Sequence, residues 1–491
     1  MPSNVNRPAG ALRIGWAQAD ITPSKPVFLC GQFCCRLSEG VDDPLTATAM
    51  AIDDGADHVV FVSCDLVMIP NRFRDDVRQA IGDKAPGLDV RKVVLNATHT
   101  HTAPSILDDH IFWDDFDQTG RMLGLEAMGI REYCRFAVDR IAAAVAEAWN
   151  GRGDAQIAFG MGYAVVGHNR RWVNVNGVSQ MYGNLDTPLM SHIEGYEDHS
   201  VGIVAARDAA GRMTGLIVNI ACPSQSRESQ WVVTADFWHV VRVELRSRLG
   251  KDLFVLPQCS AAGDQAPRQL YDKKARNRMI ELSGRTECQE LGMRIVNGVM
   301  SALEVLGDHV DGAAPLSHSI ETMDLPLNLI SAEEVADSLN QAKEHRATYE
   351  QEMAKLEADP SLKNQPRWYY HVTHHRNRMI WFEALAKRRD WQQANKDKGY
   401  HCELHVVRLG EIAFATNPFE YYLDYGIRIK VRSPATQTFL VQLAGESTYV
   451  PSERSVAGGG YGSMAASCDV GPEGGKILAD KTLEHIAALW R

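Results

Sequence analysis

The sequence predicts an α/β fold: one large unit over residues 1–491, with mixed sheets flanked by helices. Three observations predict it: apolar runs with little alternation, helical stretches between them, and polar residues where the runs stop. Such runs read as strands buried on both faces. In chain order, "HVVFVSCD" ends at Asp65 and "KVVLNATHTH" at His99 and His101. "GLIVNIACPSQS" ends at Cys222 and Ser224, and "LFVLPQCSAAGDQ" at Asp264. "EIAFATNPFE" ends at Glu420, and "TFLVQLAGESTY" at Tyr449. Between them, "REYCRFAVDRIAAAVAEAWN" has a helical pattern and stops at Gly151, as a helix end should. Ligands of open α/β sheets collect beyond the carboxyl ends of strands. Here those ends carry the residue types that bind metals and move protons.

Residues from about 330 to 400 read as a helical insertion, beginning "EEVADSLNQAKEHRATYEQEMAKLEADP" and highly charged. Its "YYHVTHH" brings His371, His374 and His375, on a helix that either packs or closes over a site. "AGGGYGS" (457–463) is a flexible loop and lacks the strand–loop–helix context of a phosphate-binding glycine motif.

Composition excludes several classes. The formal charge is -11 with dispersed Lys and Arg, which argues against nucleic acid as a partner. No run of apolar residues is long enough to span a membrane, and "MPSNVNRPAGALRIG" lacks the apolar core of a secretory signal. The ten cysteines are sparse and irregular, which fits a reducing compartment, so a cytoplasmic location is expected. "CGQFCC" has no second pair at zinc-ribbon spacing and reads as free thiols. Nothing in the sequence sets an oligomeric state.

The most informative stretch is "LNATHTHTAP". Two histidines at spacing two point the same way if the segment stays extended. A lone His is usually structural, but this pair follows a buried strand, and other strand ends supply more ligand-type residues. Zinc takes His, Cys and carboxylate ligands, and a catalytic zinc keeps one position open. The helical H-E-x-x-H motif is absent, so a zinc site here would be assembled from separate strand ends.

Several segments, in order, resemble the neutral/alkaline non-lysosomal ceramidase family: "IGWAQADITPS", "DDPLTATAMAIDDG", "VVFVSCDL", "NATHTHTAP", "HNRRW", "IACPSQ", "SAAGDQAPR", "NPFEYYLDYGIRIKVRSP" and "FLVQLAGESTYVPSE". The resemblance runs from residue 12 to about 485 and is weak only in the helical insertion. It implies a neutral-ceramidase-like catalytic domain with a zinc amidase site. Carried over, the zinc ligands are His99, Glu420 and Tyr449. His101 lies near the attacking water, and Arg170 lies at the substrate. The family's second zinc histidine falls on Cys222, so either the thiolate binds or another residue does. His239, in the first turn of a helix capped by Thr234 or Asp236, is the favoured replacement. Loss of the site is the remaining possibility. Where the family has a serine in "GDVSP", this chain has Ala266, and no G-x-S-x-G elbow occurs, so a covalent serine mechanism is not expected. Asp264 then orients a neighbour or a substrate hydroxyl, or bonds its own turn.

The resulting expectation is a Zn2+-dependent hydrolase. Metal-activated water attacks an amide or related bond, with His101 assisting and Arg170 and Tyr449 stabilising negative charge. The chain ends soon after the family core and shows no signal, so a small N-acyl or sugar-derived molecule is expected as substrate. Hydrolysis of N-acyl sphingosine, and a metal-free relative with a binding role, are the alternatives.

Overall fold

Two sheets face each other across a core of apolar side chains. The computed structural model describes residues 11–107, 116–446 and 448–491. The larger sheet has eight strands: β1 (Arg13–Asp20), β2 (Thr46–Asp53), β3 (His58–Cys64), β4 (Val93–Ala97), β5 (Gly153–Tyr163), β6 (Ser200–Asp208), β7 (Met213–Ile220) and β8 (Phe254–Cys259). Their order across the sheet is β8-β7-β6-β5-β1-β2-β3-β4. The smaller sheet holds β9 (Leu316–Leu325), β10 (Tyr400–Leu409), β11 (Ile412–Thr416) and β12 (Gln437–Val441), side by side in that order. The sheets are mixed, as the sequence predicts. Three pairs are parallel: β3 with β4, β7 with β8, and β11 with β12.

Met50, Phe61, Val204, Ile217 and Leu256 of the large sheet meet Leu316, Val407, Phe414 and Phe439 of the small one. Phe414 links the layers, its ring centroid 4.9 Å from Phe61 and 4.8 Å from Phe439. Helices cover the outer faces. α1 (Asn71–Ile81), α2 (Ile130–Asn150), α3 (Phe237–Leu249) and α4 (Glu287–Leu306) pack on the large sheet. The result is four layers, helix–sheet–sheet–helix, closed on the far side by the C-terminal helix Pro472–Leu489. Burial on both faces explains why β2 is buried along its whole length and reads as an unbroken apolar and small-residue run. α2 lies so close to β1 that a Cβ on Gly15 would fall 1.9 Å from the Ala148 carbonyl oxygen. α2 stops at Asn150, where the predicted Gly151 donates its N–H to the Glu147 carbonyl.

The helical insertion forms two long helices, α5 (Ala332–Ala358) and α6 (Tyr370–Ala394). Ser331 and Glu334 build a reciprocal capping box that starts α5. Ser338 donates its hydroxyl to the Phe382 carbonyl, fastening α5 to α6. Asn377 Nδ2 donates to the Phe33 carbonyl at 2.7 Å, and Arg388 donates to the carbonyls of Ala465 and Cys468. These bonds seat α6 over the carboxyl ends of the parallel strands. Among the described residues no helix is long and apolar enough to cross a membrane.

Candidate active site at the carboxyl ends of the parallel strands

Each parallel pair sends the chain beyond its carboxyl end toward one place. β4 leads into His99 and His101, β7 into Gln225, β11 into Glu420 and β12 into Tyr449. A cavity of about 640 Å³ opens there, with His99, His101, Glu420 and Tyr449 in its wall.

His99 sits where the chain turns out of β4, with φ at 64°. A non-glycine residue in that region is strained, and such strain collects at functional sites. Its Nδ1 donates to the Val67 carbonyl at 2.7 Å, which fixes the tautomer and leaves the Nε2 lone pair facing the cavity. Nε2 stands 3.3 Å from Glu420 Oε2 and 3.4 Å from His101 Nε2. Glu420 and Tyr449 face each other in a two-residue parallel ladder formed by Glu420–Tyr421 and Tyr449–Val450. Behind them lies buried Arg170. Its Nη2 donates to the Gly263 carbonyl at 2.9 Å and is 4.0 Å from Glu420 Oε2, and the guanidinium lies 5.2 Å from the Tyr449 ring centroid. Burial opposes ionisation of Glu420, yet His99 and Arg170 beside it hold the carboxyl below its ordinary pKa. Burial raises the Tyr449 phenol, with Arg170 pulling against it.

His101 is turned by different partners. Gln225 Nε2 donates to its Nε2 at 2.8 Å, and Glu228 Oε2 is 3.5 Å from its Nδ1. Burial pushes this imidazole below its ordinary pKa, and Glu228 draws it partly back. Gln225 and Glu228 are the residues that sequence reasoning missed. The signal lay in the polar run that follows Cys222 in "IACPSQSRES".

Neither replacement for the second zinc histidine joins the cluster. Asp236 does cap α3 through the Phe237 N–H, and His239 is in its first turn. The helix phase turns the His239 ring away, however: its side chain is 37% exposed and lies 4.0 Å from Asp43. Cys222 is buried in the helix–sheet core with Phe237 and Trp238, its thiol donating to the Val166 carbonyl at 3.4 Å. Burial raises that thiol well above its usual pKa, the opposite of what a thiolate ligand needs. Asp264 is also behind the wall. Its carboxylate accepts from Asn169 Nδ2 at 2.8 Å and from the Leu423 N–H at 3.0 Å, so it orients the strands that carry Arg170 and Glu420. Burial lifts its pKa to about 6. Asp65, at the end of β3, is spent on a two-pronged ion pair with Arg242.

The remaining donors have the chemistry of a catalytic zinc site. Ligands about 2.0–2.1 Å from a tetrahedral ion stand about 3.3–3.4 Å apart, and a catalytic zinc uses three protein ligands. His99 Nε2 and Glu420 Oε2 have that separation, at 3.3 Å. Tyr449 adds an oxygen on the same wall. Among the described residues no group of three or more His, Cys, Asp and Glu side chains is arranged to hold a metal; Tyr449 as a third donor is what the family resemblance implies.

The helical insertion closes the cavity from above. Trp381 of α6 packs edge-on against Phe33, with centroids 5.2 Å apart, and Tyr461 joins both rings. The insertion is thus both a packing element and the roof of the cavity.

No family model matches the sequence. Solved structures do. A neutral ceramidase from Pseudomonas aeruginosa is similar with a TM-score of 0.66 at 16% identity, over 98% of this chain and 74% of that one. A ceramidase complexed with C2 is similar with a TM-score of 0.67 at 15% identity, over 98% of this chain and 75% of that one. The fold is neutral-ceramidase-like, as the sequence resemblance implies.

Proposed function

We propose that this chain is a zinc-dependent hydrolase that cleaves an amide or related acyl bond in the cavity beneath α6. One observation carries the reading: His99 Nε2 and Glu420 Oε2 stand 3.3 Å apart beside Tyr449 and His101, all facing one cavity. His99, Glu420 and Tyr449 would hold the zinc, which when bound acidifies water and polarises a carbonyl.

The chain's own groups account for the rest. Gln225 donates to His101 Nε2 and orients the ring; the attacking water would displace that amide so that Nε2 can take its proton. Arg170, buried behind Glu420 and Tyr449, would offset from there the negative charge that develops on the carbonyl oxygen. Water oxygen bonds to the acyl carbon, the C–N bond breaks, and the proton passes from His101 to the leaving nitrogen. Asp264 holds this frame without touching the reactants.

The substrate reading is an N-acyl compound. A small N-acyl or sugar-derived molecule is one form of it. N-acyl sphingosine is the other, supported by the names of the similar structures and by the roof. There the polar side chains are already engaged: Arg388 serves carbonyls, Asn377 holds Phe33, and Gln392 binds the Ile330 N–H and the Asn328 carbonyl. They leave rings and aliphatic surface to meet an acyl chain. Among the described residues no disulfide forms, which suits a reducing compartment such as the cytoplasm. Metal analysis together with an acyl-amide panel, from acetyl to hexadecanoyl, tests the reading. Stoichiometric zinc and chelator-sensitive amide cleavage support it; a metal-free protein inert on the whole panel overturns it.

A further inference from the structure

The loop Cys30–Arg36 wraps the one ring that the mechanism uses as proton acceptor. Gly31 has φ at 93° and lies flat against His101: a Cβ there would fall 2.4 Å from the His101 Cγ. No side chain fits between them. A few residues on, Arg36 is buried, with 1% of its surface exposed. Its Nη1 donates to the carbonyls of Glu228 and Gln230, each at 2.7 Å. Its Nη2 donates to the carbonyls of Cys30 at 2.7 Å and His101 at 2.5 Å.

We propose that Arg36 is a positioning residue for His101. It ties the His101 backbone to the Glu228 loop and to the loop that flanks the imidazole; the proposal rests on the reading of His101 as proton acceptor. The partners come from three distant segments, near residues 30, 101 and 228. Their side chains meet again at the ring, where Gln32 donates to Glu228 Oε2 at 3.3 Å and Glu228 lies 3.5 Å from His101 Nδ1. Burying a cation is costly unless it is well hydrogen-bonded. Among the described residues no carboxylate forms an ion pair with Arg36; it faces carbonyls instead. Only a planar guanidinium offers paired donors on both ends of a fixed fork, so lysine cannot replace it. The site thus retains a costly group at the point that fixes both the imidazole and the carboxylate beside it.

Three variants test this: Arg36→Ala, Arg36→Lys and, as a control, Arg78→Met. Arg78 is also buried and bonded to carbonyls, those of Arg91 and Val93, and also pairs with Glu403, but it is not part of the cavity wall. Two readouts are taken. One is kcat and KM on the best acyl amide of the panel. The other is the His101 ring resonance in 13C-histidine-labelled protein, assigned by its loss in His101→Gln. A misplacement of about 1 Å costs about 100-fold in rate, so Arg36→Ala should lose about that much kcat with KM within about threefold. Its His101 resonance should move, ethylguanidinium should restore part of both, and Arg78→Met should change neither. An unmoved resonance, an absent rescue, or an equal loss in Arg78→Met overturns the proposal. If Arg36→Ala does not fold, Arg36→Lys carries the same resonance test. If wild type cleaves nothing on the panel, the hydrolase reading fails, while the resonance still decides what Arg36 does.

Discussion

Glu420 and Tyr449 are register partners in a parallel ladder only two residues long. The Glu420 N–H donates to the Thr448 carbonyl at 3.0 Å, and the Tyr422 N–H to the Val450 carbonyl at 3.3 Å. Register partners in a parallel pair project to the same side, so the ladder sets a carboxylate and a phenol on one wall. His99 arrives from the other sheet. The candidate cluster therefore forms where the two sheets meet, and each member is fixed by backbone.

Metal should follow this geometry. We expect about one zinc per chain, and His99→Ala should abolish binding, since a catalytic site with three protein ligands cannot lose one and stay tight. Elemental analysis after dialysis checks it. Full zinc occupancy in the variant would mean that the donor set is wrong.

Cys222→Ser and His239→Ala should both keep zinc and most activity. Cys222 belongs to the core behind the strands, and His239 faces Asp43. A large metal loss in either one would return that residue to the ligand set.

How far the sequence carried can be judged from these residues. The strands were legible because burial on both faces leaves apolar runs, and their ends were legible because polar residues stop them. His99, Glu420 and Tyr449 follow from that logic. His239 failed for a different reason. The helix start was right, but helix phase decides which way a first-turn residue faces, and packing of Phe237 and Trp238 set that phase. Cys222 stands at a strand end, yet its side chain turns to the helix side of the sheet. Gln225, Glu228 and Arg36 reach His101 through contacts between distant segments, which no local pattern announces.

The roof should discriminate acyl chains. Trp381→Ala removes one ring of the Phe33–Trp381–Tyr461 group. At about 25 cal/mol per Å² of buried apolar surface, losing contact with a long chain should cost about 1–2 kcal/mol, roughly tenfold in kcat/KM. An acetyl substrate should be nearly unaffected. Equal losses on acetyl and hexadecanoyl amides would remove the roof from substrate recognition.

Acid stability should depend on a second histidine pair, outside the cavity wall. His318 Nε2 lies 2.9 Å from His405 Nδ1, and His318 Nδ1 lies 3.3 Å from the His58 carbonyl oxygen. Burial, with His405 beside it, lowers the His318 pKa to about 3. The unfolded chain titrates this group near its ordinary value of about 6.5. Between those values the unfolded state binds the extra proton and the folded state does not. The stability due to neutral His318 is therefore complete above about pH 6.5 and is lost as the pH falls toward 3, by at most about 1.4 kcal/mol per pH unit. His318→Gln keeps a neutral polar group there and should flatten that part of the curve. Urea unfolding of both proteins from pH 7 to pH 4 checks it. Parallel stability curves would show that His318 is protonated as readily in the fold as outside it, and that its neutral pairing with His405 contributes nothing.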